Sequence, residues 1–304
     1  MQLKYYIKHP LEIGVQLLCK FGNGLSDDKY LKIMYFLRMK HRLHLDNPQT
    51  FTEKLQWLKL YDRRLDYPRM VDKYYAKKYV AEVIGEEYII PTIGIWEKPE
   101  DIEWDSLPDK FVLKTTHGGG GDGVIICTDK IKLDVEKVVM DLNKAMRIDI
   151  YKSLKEWPYK NCERQIIAEK YIGTDSCSKD ISDFKFFCFD GVVKYICVIT
   201  DRQNRTEKTR SDFFDENYNH LPVKQYYDNA VRIPEQPHHF DEMKTIAEKL
   251  SKGIPHVRVD LYEVEDKIYF GEMTFFHASG LLPFEPEEWD LRFGESLQLP
   301  IIIH

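Results

Sequence analysis

Residues 110–130, KFVLKTTHGGGGDGVIICTDK, constrain this chain more than any other stretch. An apolar run ends on Lys114, and four consecutive glycines follow, Gly118, Gly119, Gly120 and Gly121. A second apolar run, Val124 to Cys127, begins straight after Gly123. The glycines fit the G-x-G-x-x-G spacing of dinucleotide-binding turns, but that fingerprint needs a helix behind it. Here VIIC, rich in β-branched residues, reads as a strand. No Gly-Lys-Ser/Thr closes the run, so a Walker A loop is excluded. What remains is strand, glycine loop, strand. Such a hairpin can fold over phosphates, because its amides point at the anion and the missing Cβ atoms allow close approach. A long turn with no ligand is the alternative.

The bulk properties narrow the class. The chain has 304 residues, 43% hydrophobic and 31% charged, enough for two or three subdomains with a real core. A net charge of −6 and the lack of a long basic tract argue against nucleic acid as the partner. The start, MQLKYYIKHPLEIGVQLLCK, is broken by Lys4, Lys8, Pro10 and Glu12 and lacks the apolar region of a signal peptide. No apolar run approaches the roughly 18 residues of a membrane span. A packed N-terminal helix is expected, with an amphipathic membrane contact as the alternative. The six cysteines show no C-x-x-C pairing, and Cys127, Cys188 and Cys197 sit in apolar runs, so buried thiols in a reducing cytoplasm are expected.

Along the chain, residues 1–65 read as helical. Ser26 can cap a helix to about Met39, and Thr50-Phe-Thr-Glu53 has the form of a capping box. Asp72 can cap a third helix that stops at Gly85. Strands are expected at Tyr88–Ile90, 111–115, 124–127 and within 165–173. A helix is expected from Asp134 to about Arg147. Residues 184–200 read as a hairpin turning at Asp190-Gly191. Residues 201–237 read as loops. Asp241 to Lys252 reads as a helix closed by Gly253. Two last strands, HVRVDLYEV and KIYFGEMTF, flank Glu265-Asp266.

Those strands carry a second constellation: Arg258, Asp260, Glu272 and Thr274. If their turn holds an odd number of residues, 260 pairs with 272 and 258 with 274, so all four side chains share a face. A two-residue turn would separate Asp260 from Glu272. Opposed carboxylates repel, and a divalent cation removes that cost. Mg²⁺ suits one or two carboxylates plus substrate phosphates. A solvated face with Arg258 as counter-ion is the alternative.

Taken together, the chain resembles the ATP-grasp enzymes, and within them the TupA-like branch named for teichuronopeptide biosynthesis. The pieces that carry the resemblance are NPQTFTEKLQWLK, DKYYAKKYV, FVLKTTHGGG, IIAEKYI, DFKFFCFDG, RVDLYEVEDKIYFGEMTF and SGLLPFEP, in order from about Asn47 to Leu299. The resemblance implies a mixed α+β and α/β fold in three parts: a small helical N-terminal region (1–70), a lid subdomain with the glycine flap (71–170) and a C-terminal antiparallel sheet with the metal site (171–304). It implies Lys73 and Lys114 as the two nucleotide lysines. It also makes Glu169, Lys170, Tyr171 and Ile172 the adenine hinge, largely through backbone groups. Asp260 and Glu272 match the Mg²⁺ carboxylates, and Arg258 matches the arginine that stabilises a tetrahedral oxyanion. Thr274 departs from the usual asparagine of Glu-x-Asn. Lys185 and Arg202 resemble basic residues placed near phosphate or acceptor. No role is implied for Asp175 or Asp180. Residues Asn47 to Lys54 either line the acceptor site or cap a helix, the cap being expected.

The implied reaction is ATP- and Mg²⁺-dependent ligation of a carboxylate to an amine through an acyl phosphate. The implied acceptor is a uronic-acid-bearing surface glycan or its precursor. An amino acid or small amine is the second substrate, and peripheral association with envelope polysaccharide machinery stays open. A kinase, a glycosyltransferase of surface polysaccharides and a non-catalytic glycan binder are the alternatives.

Overall fold

The computed structural model describes residues 10–119, 121, 123–173, 181–201 and 208–301. Gly120, Asp175, Asp180 and Arg202 lie outside the described residues.

Three helices open the chain: α1 (Pro10–Phe21), α2 (Asp27–Met39) and α3 (Phe51–Tyr61). Ser26 takes the N-cap position of α2, although its hydroxyl makes no capping bond. Thr50 caps α3 with the expected box: its side chain accepts from the Glu53 amide while the Glu53 carboxylate receives the Thr50 amide. A short helix, α4 (Tyr67–Val71), leads to α5 (Tyr75–Ile84). Asp72 Oδ1 accepts the amides of Tyr74 and Tyr75 at 2.9 and 3.0 Å, tying off the start of α5.

The strand expected at Tyr88–Ile90 is instead a 3-10 turn over Glu86–Tyr88, and β1 begins later (Thr92–Trp96). The next strands are β2 (Phe111–Thr115) and β3 (Val124–Cys127). Two helices, α6 (Val135–Met146) and α7 (Ile150–Leu154), precede β4 (Ile166–Lys170). These four strands form an antiparallel sheet in the order β1-β4-β2-β3. Phe111, Leu113, Ile166 and Ala168 point to one face and pack with Val138 and Leu142 of α6. Lys114 and Glu169 therefore lie on the other face.

The second sheet has six antiparallel strands: β5 (Asp183–Phe189), β6 (Val192–Thr200), β7 (Arg210–Asp215), β8 (His220–Leu221), β9 (Val257–Val264) and β10 (Lys267–Thr274). Residues 201–237 are thus not loops throughout: SDFF in β7 is fully buried and pairs with β6. Its Ser211 and Asp212 are turn-favouring residue types, and together with polar neighbours they hid the strand. Asp190 and Gly191 both take positive φ, as a two-residue turn between β5 and β6 requires. Helix α8 (Phe240–Ser251) covers one face, with Phe240 near Phe186 and Ala247 near Cys188. On the opposite face Phe187 meets Phe51 of α3 and Phe293 of α9 (Glu288–Ser296). Cys127, Cys188 and Cys197 are buried free thiols.

Candidate functional site

Strand β5 changes character along one face. Phe187 and Phe189 are packed under α3, whereas on the same side Lys185 is paired with Asp183 of its own strand and with Asp260 of β9. Lys185 is opposite Asp260 in register. Its ammonium lies 2.5 Å from Asp260 and 2.6 Å from Asp183, so it is no solvated surface lysine. Burial disfavours its charge, but the two aspartates outweigh burial and raise its pKa.

The β9–β10 turn holds two residues, Glu265 and Asp266, both at positive φ. An unbroken ladder from that turn would place Asp260 and Glu272 on opposite faces. A bulge at Gly271 shifts the register, so Glu272 pairs with Asp260 and Thr274 with Arg258 after all. The odd-numbered turn was the wrong device; the bulge supplies the same one-residue offset. A side chain at 271 would start 2.8 Å from the Tyr262 ring and 3.1 Å from the Asp260 carbonyl, which explains glycine there.

Arg258 organises the cluster. Its Nε and Nη2 donate to the two Asp260 oxygens at 2.7 Å each, and Nη2 also reaches Glu272 and Thr274 at 3.1 Å. Its Nη1 donates to His277 Nδ1 at 2.8 Å. A guanidinium can only donate, so Nδ1 accepts and Nε2 carries the proton given to Gln225 Oε1 at 2.7 Å. Burial, then the nearby Arg258 charge, hold the His277 pKa well below its ordinary value, consistent with that neutral tautomer.

On the other sheet, Glu169 is buried between two cations. Lys114 Nζ is 2.5 Å from Oε2, and Lys77 Nζ is 2.6 Å from Oε1. Burial pushes the Glu169 carboxyl up, but Lys114 and Lys77 outweigh it and hold it below the usual range. Lys114 is shielded on an inner strand, since β2 is flanked by β3 and β4. The amide of Lys170 is taken by the Pro91 carbonyl at 2.9 Å, and Tyr171 and Ile172 follow the end of β4, half-buried.

Lys73 joins the two halves. Its amide donates to Thr116 O at 3.0 Å, its ammonium donates to the Gly118 carbonyl, and Glu272 Oε2 lies 3.9 Å from that same ammonium. Burial lowers its pKa, with Glu272 opposing. The glycine loop therefore meets the carboxylate–arginine cluster at one amine. Gly119 lies beside Ile150, and Gly121 turns the chain at a φ of +89°, accepting from the Val124 amide.

The donor set suits Mg²⁺. Asp260 and Glu272 offer hard oxygens on one face, and Glu272 is the more open, its side chain 34% exposed with Oε2 held only loosely by Lys73. Thr274 Oγ1, 3.4 Å from Glu272 Oε1, is a neutral oxygen beside them. Asp260 could ligate only by giving up contacts to Arg258 or Lys185.

Sequence reasoning missed Lys77, His277 and Gln225. Lys77 stands four residues after Lys73 on a helical pattern, a spacing that puts both on one face. His277 sits three residues after Thr274 in an apolar run. Nothing in the sequence ties Gln225 to either.

Over residues 53–298 the chain matches the TupA-like ATP-grasp family. The chain belongs to that family. Its mixed helical and antiparallel architecture is the ATP-grasp fold. No curated protein matches the chain. Similar solved structures include D-alanine–D-alanine ligase from Helicobacter pylori, at 14% identity and a TM-score of 0.44, covering 82% of this chain and 69% of that one. The same enzyme from Bacillus anthracis is 21% identical with a TM-score of 0.39, covering 68% of this chain. This chain spans 57% of the length of that ligase. D-cycloserine synthetase DcsG is 15% identical with a TM-score of 0.41, covering 75% of this chain and 69% of that one. Among the described residues, no helix is long and apolar enough to cross a membrane.

Proposed function

We propose that this ATP-grasp protein is an ADP-forming carboxylate–amine ligase. The observation that carries the reading is Lys73, whose ammonium donates to the glycine-loop carbonyl of Gly118 and lies 3.9 Å from the Glu272 carboxylate. A triphosphate lying between the sheets would meet Lys73, Lys114 and the loop amides at once. Glu169 to Ile172 would border the adenine, and Lys185 the phosphate or acceptor. Bound at Glu272, Thr274 and Asp260, Mg²⁺ would neutralise phosphate charge.

The substrate carboxylate is already ionised at neutral pH, so the first step needs positioning and charge neutralisation rather than a base. A carboxylate oxygen attacks the γ-phosphorus, the bond to the bridging β–γ oxygen breaks, and ADP leaves. An amine then attacks the acyl carbon. Arg258 would donate to the oxyanion that forms, after which phosphate departs with the original carboxylate oxygen and takes up the proton that the nitrogen loses. The resemblance favours a uronic-acid-bearing glycan or precursor as acceptor and an amino acid or amine as nucleophile.

An ¹⁸O-labelled carboxylate on a glucuronic or galacturonic acid glycoside tests the reaction. Ligation delivers one labelled oxygen to the released phosphate, with ADP as the other product. ADP formation with unlabelled phosphate would overturn the acyl-phosphate step. A stable phosphorylated acceptor with no released phosphate would replace it with a kinase reading.

A further inference from the structure

Helix α1, PLEIGVQLLCKF, is apolar around most of its circumference. Its polar residues Glu12, Gln16 and Lys20 recur every four positions and share one narrow stripe. Val15 and Leu18 are buried with Tyr30 and Met34 of α2. Ile13, Leu17 and Phe21 also recur every four positions, yet they remain 44%, 53% and 69% exposed. A helix apolar on two sides is suited to lie between two non-aqueous neighbours, and the described residues supply only one. On α2, Ile33 and Phe36 are likewise exposed, beside the exposed Lys29, Lys32 and Lys40. A shallow cavity of about 370 Å³ there is lined by Ile33, Phe36 and Leu43 and by the cations Lys32 and Arg42.

The charge is segregated as well. Residues 10–42 hold six Lys and Arg against three Asp and Glu, in a chain of net charge −6. All three acids have cationic partners, Glu12 in Arg38, Asp28 in Lys32 at 4.0 Å and Asp27 in Arg63, which leaves Lys20, Lys29, Lys40 and Arg42 as the excess. Protein–protein interfaces are depleted in lysine, whereas apolar side chains interleaved with lysines match the boundary of an anionic bilayer.

We propose that α1 and α2 form a docking face for an anionic lipid surface. Ile13, Leu17 and Phe21 enter the headgroup–acyl boundary, and the lysines sit against lipid phosphates. Each such cation near the surface strengthens binding, and the acidic remainder of the molecule turns this face toward the membrane.

Co-sedimentation of the purified full chain with vesicles tests this. Binding to phosphatidylglycerol-rich vesicles, weakened by salt and at least about tenfold weaker on pure phosphatidylcholine, is expected. The double variant Leu17→Glu, Phe21→Glu should lose on the order of tenfold or more of that binding while melting as the parent does. If that variant does not fold, Lys29→Gln with Lys32→Gln, both exposed, should still reduce the preference for anionic vesicles. Failure to sediment with either vesicle, or equal binding to both, overturns the proposal. Concentration-dependent self-association that Phe21→Glu abolishes would overturn it too, in favour of an interface between copies.

Discussion

Removing Lys114 does two things at once. It takes a cation from the expected phosphate site, and it leaves the buried Glu169 with Lys77 as partner. Lys114→Met is expected to lower ATP-dependent ADP release on the order of 10²-fold, the scale of one preorganised charge contact. It should also cost about 1–3 kcal/mol of stability, read from a urea midpoint, because the buried Glu169 Oε2 loses its donor. A folded Lys114→Met variant with unaltered turnover would remove Lys114 from the chemistry. His277→Phe isolates a different role. The phenyl ring can keep the edge contact to Phe187, whose centroid lies 4.8 Å away, but offers Arg258 no acceptor. Turnover should fall about tenfold or more, with nucleotide affinity in a thermal-shift titration unchanged. Unchanged turnover would mean that Arg258 needs no such support.

At the scale of elements, the β9–β10 hairpin depends on one glycine. Gly271→Val would drive a branched side chain against Tyr262 and the Asp260 carbonyl. A cost of about 1–3 kcal/mol is expected, from a denaturant midpoint, together with a raised Mg²⁺ requirement. A variant that is destabilised yet keeps its metal dependence would show that the bulge does not set the carboxylate pair. This hairpin also marks the limit of legibility. Strand periodicity showed that Arg258, Asp260, Glu272 and Thr274 could share a face, because side chains alternate with a period of two. Which turn length and which bulge produced that face was hidden, since register is a property of the pair and not of either strand. The glycine hairpin after Lys114 was legible for the opposite reason: glycine clusters between β-branched runs have few other uses. Strand β7 was lost among polar neighbours, and the His277–Gln225 contact joins residues 52 apart that no pattern links.

At the scale of the whole molecule, three histidines among the described residues are held neutral. Burial lowers the pKa of His117 to about 4 and of His256 to about 3, and His277 lies well below its ordinary value. In the unfolded chain each would bind a proton below about pH 6.5. The unfolded state then holds more protons, so this stability is complete above that pH and is lost as pH falls toward the native pKa values. Urea midpoints should drop between pH 7 and pH 5 by an amount equal to roughly one kcal/mol per histidine per pH unit below 6. Equal midpoints at the two pH values would refute it, and His256→Phe should flatten the slope. The contacts of Lys73 have a consequence of another kind. Its ammonium is already matched by a carbonyl and a carboxylate from two sheets. An arriving phosphate would therefore swap for internal partners, as an anion does on a resin whose counter-ions are fixed to the matrix. Few ions from bulk solvent enter that exchange, so nucleotide affinity should change by less than about threefold across a tenfold range of sodium chloride.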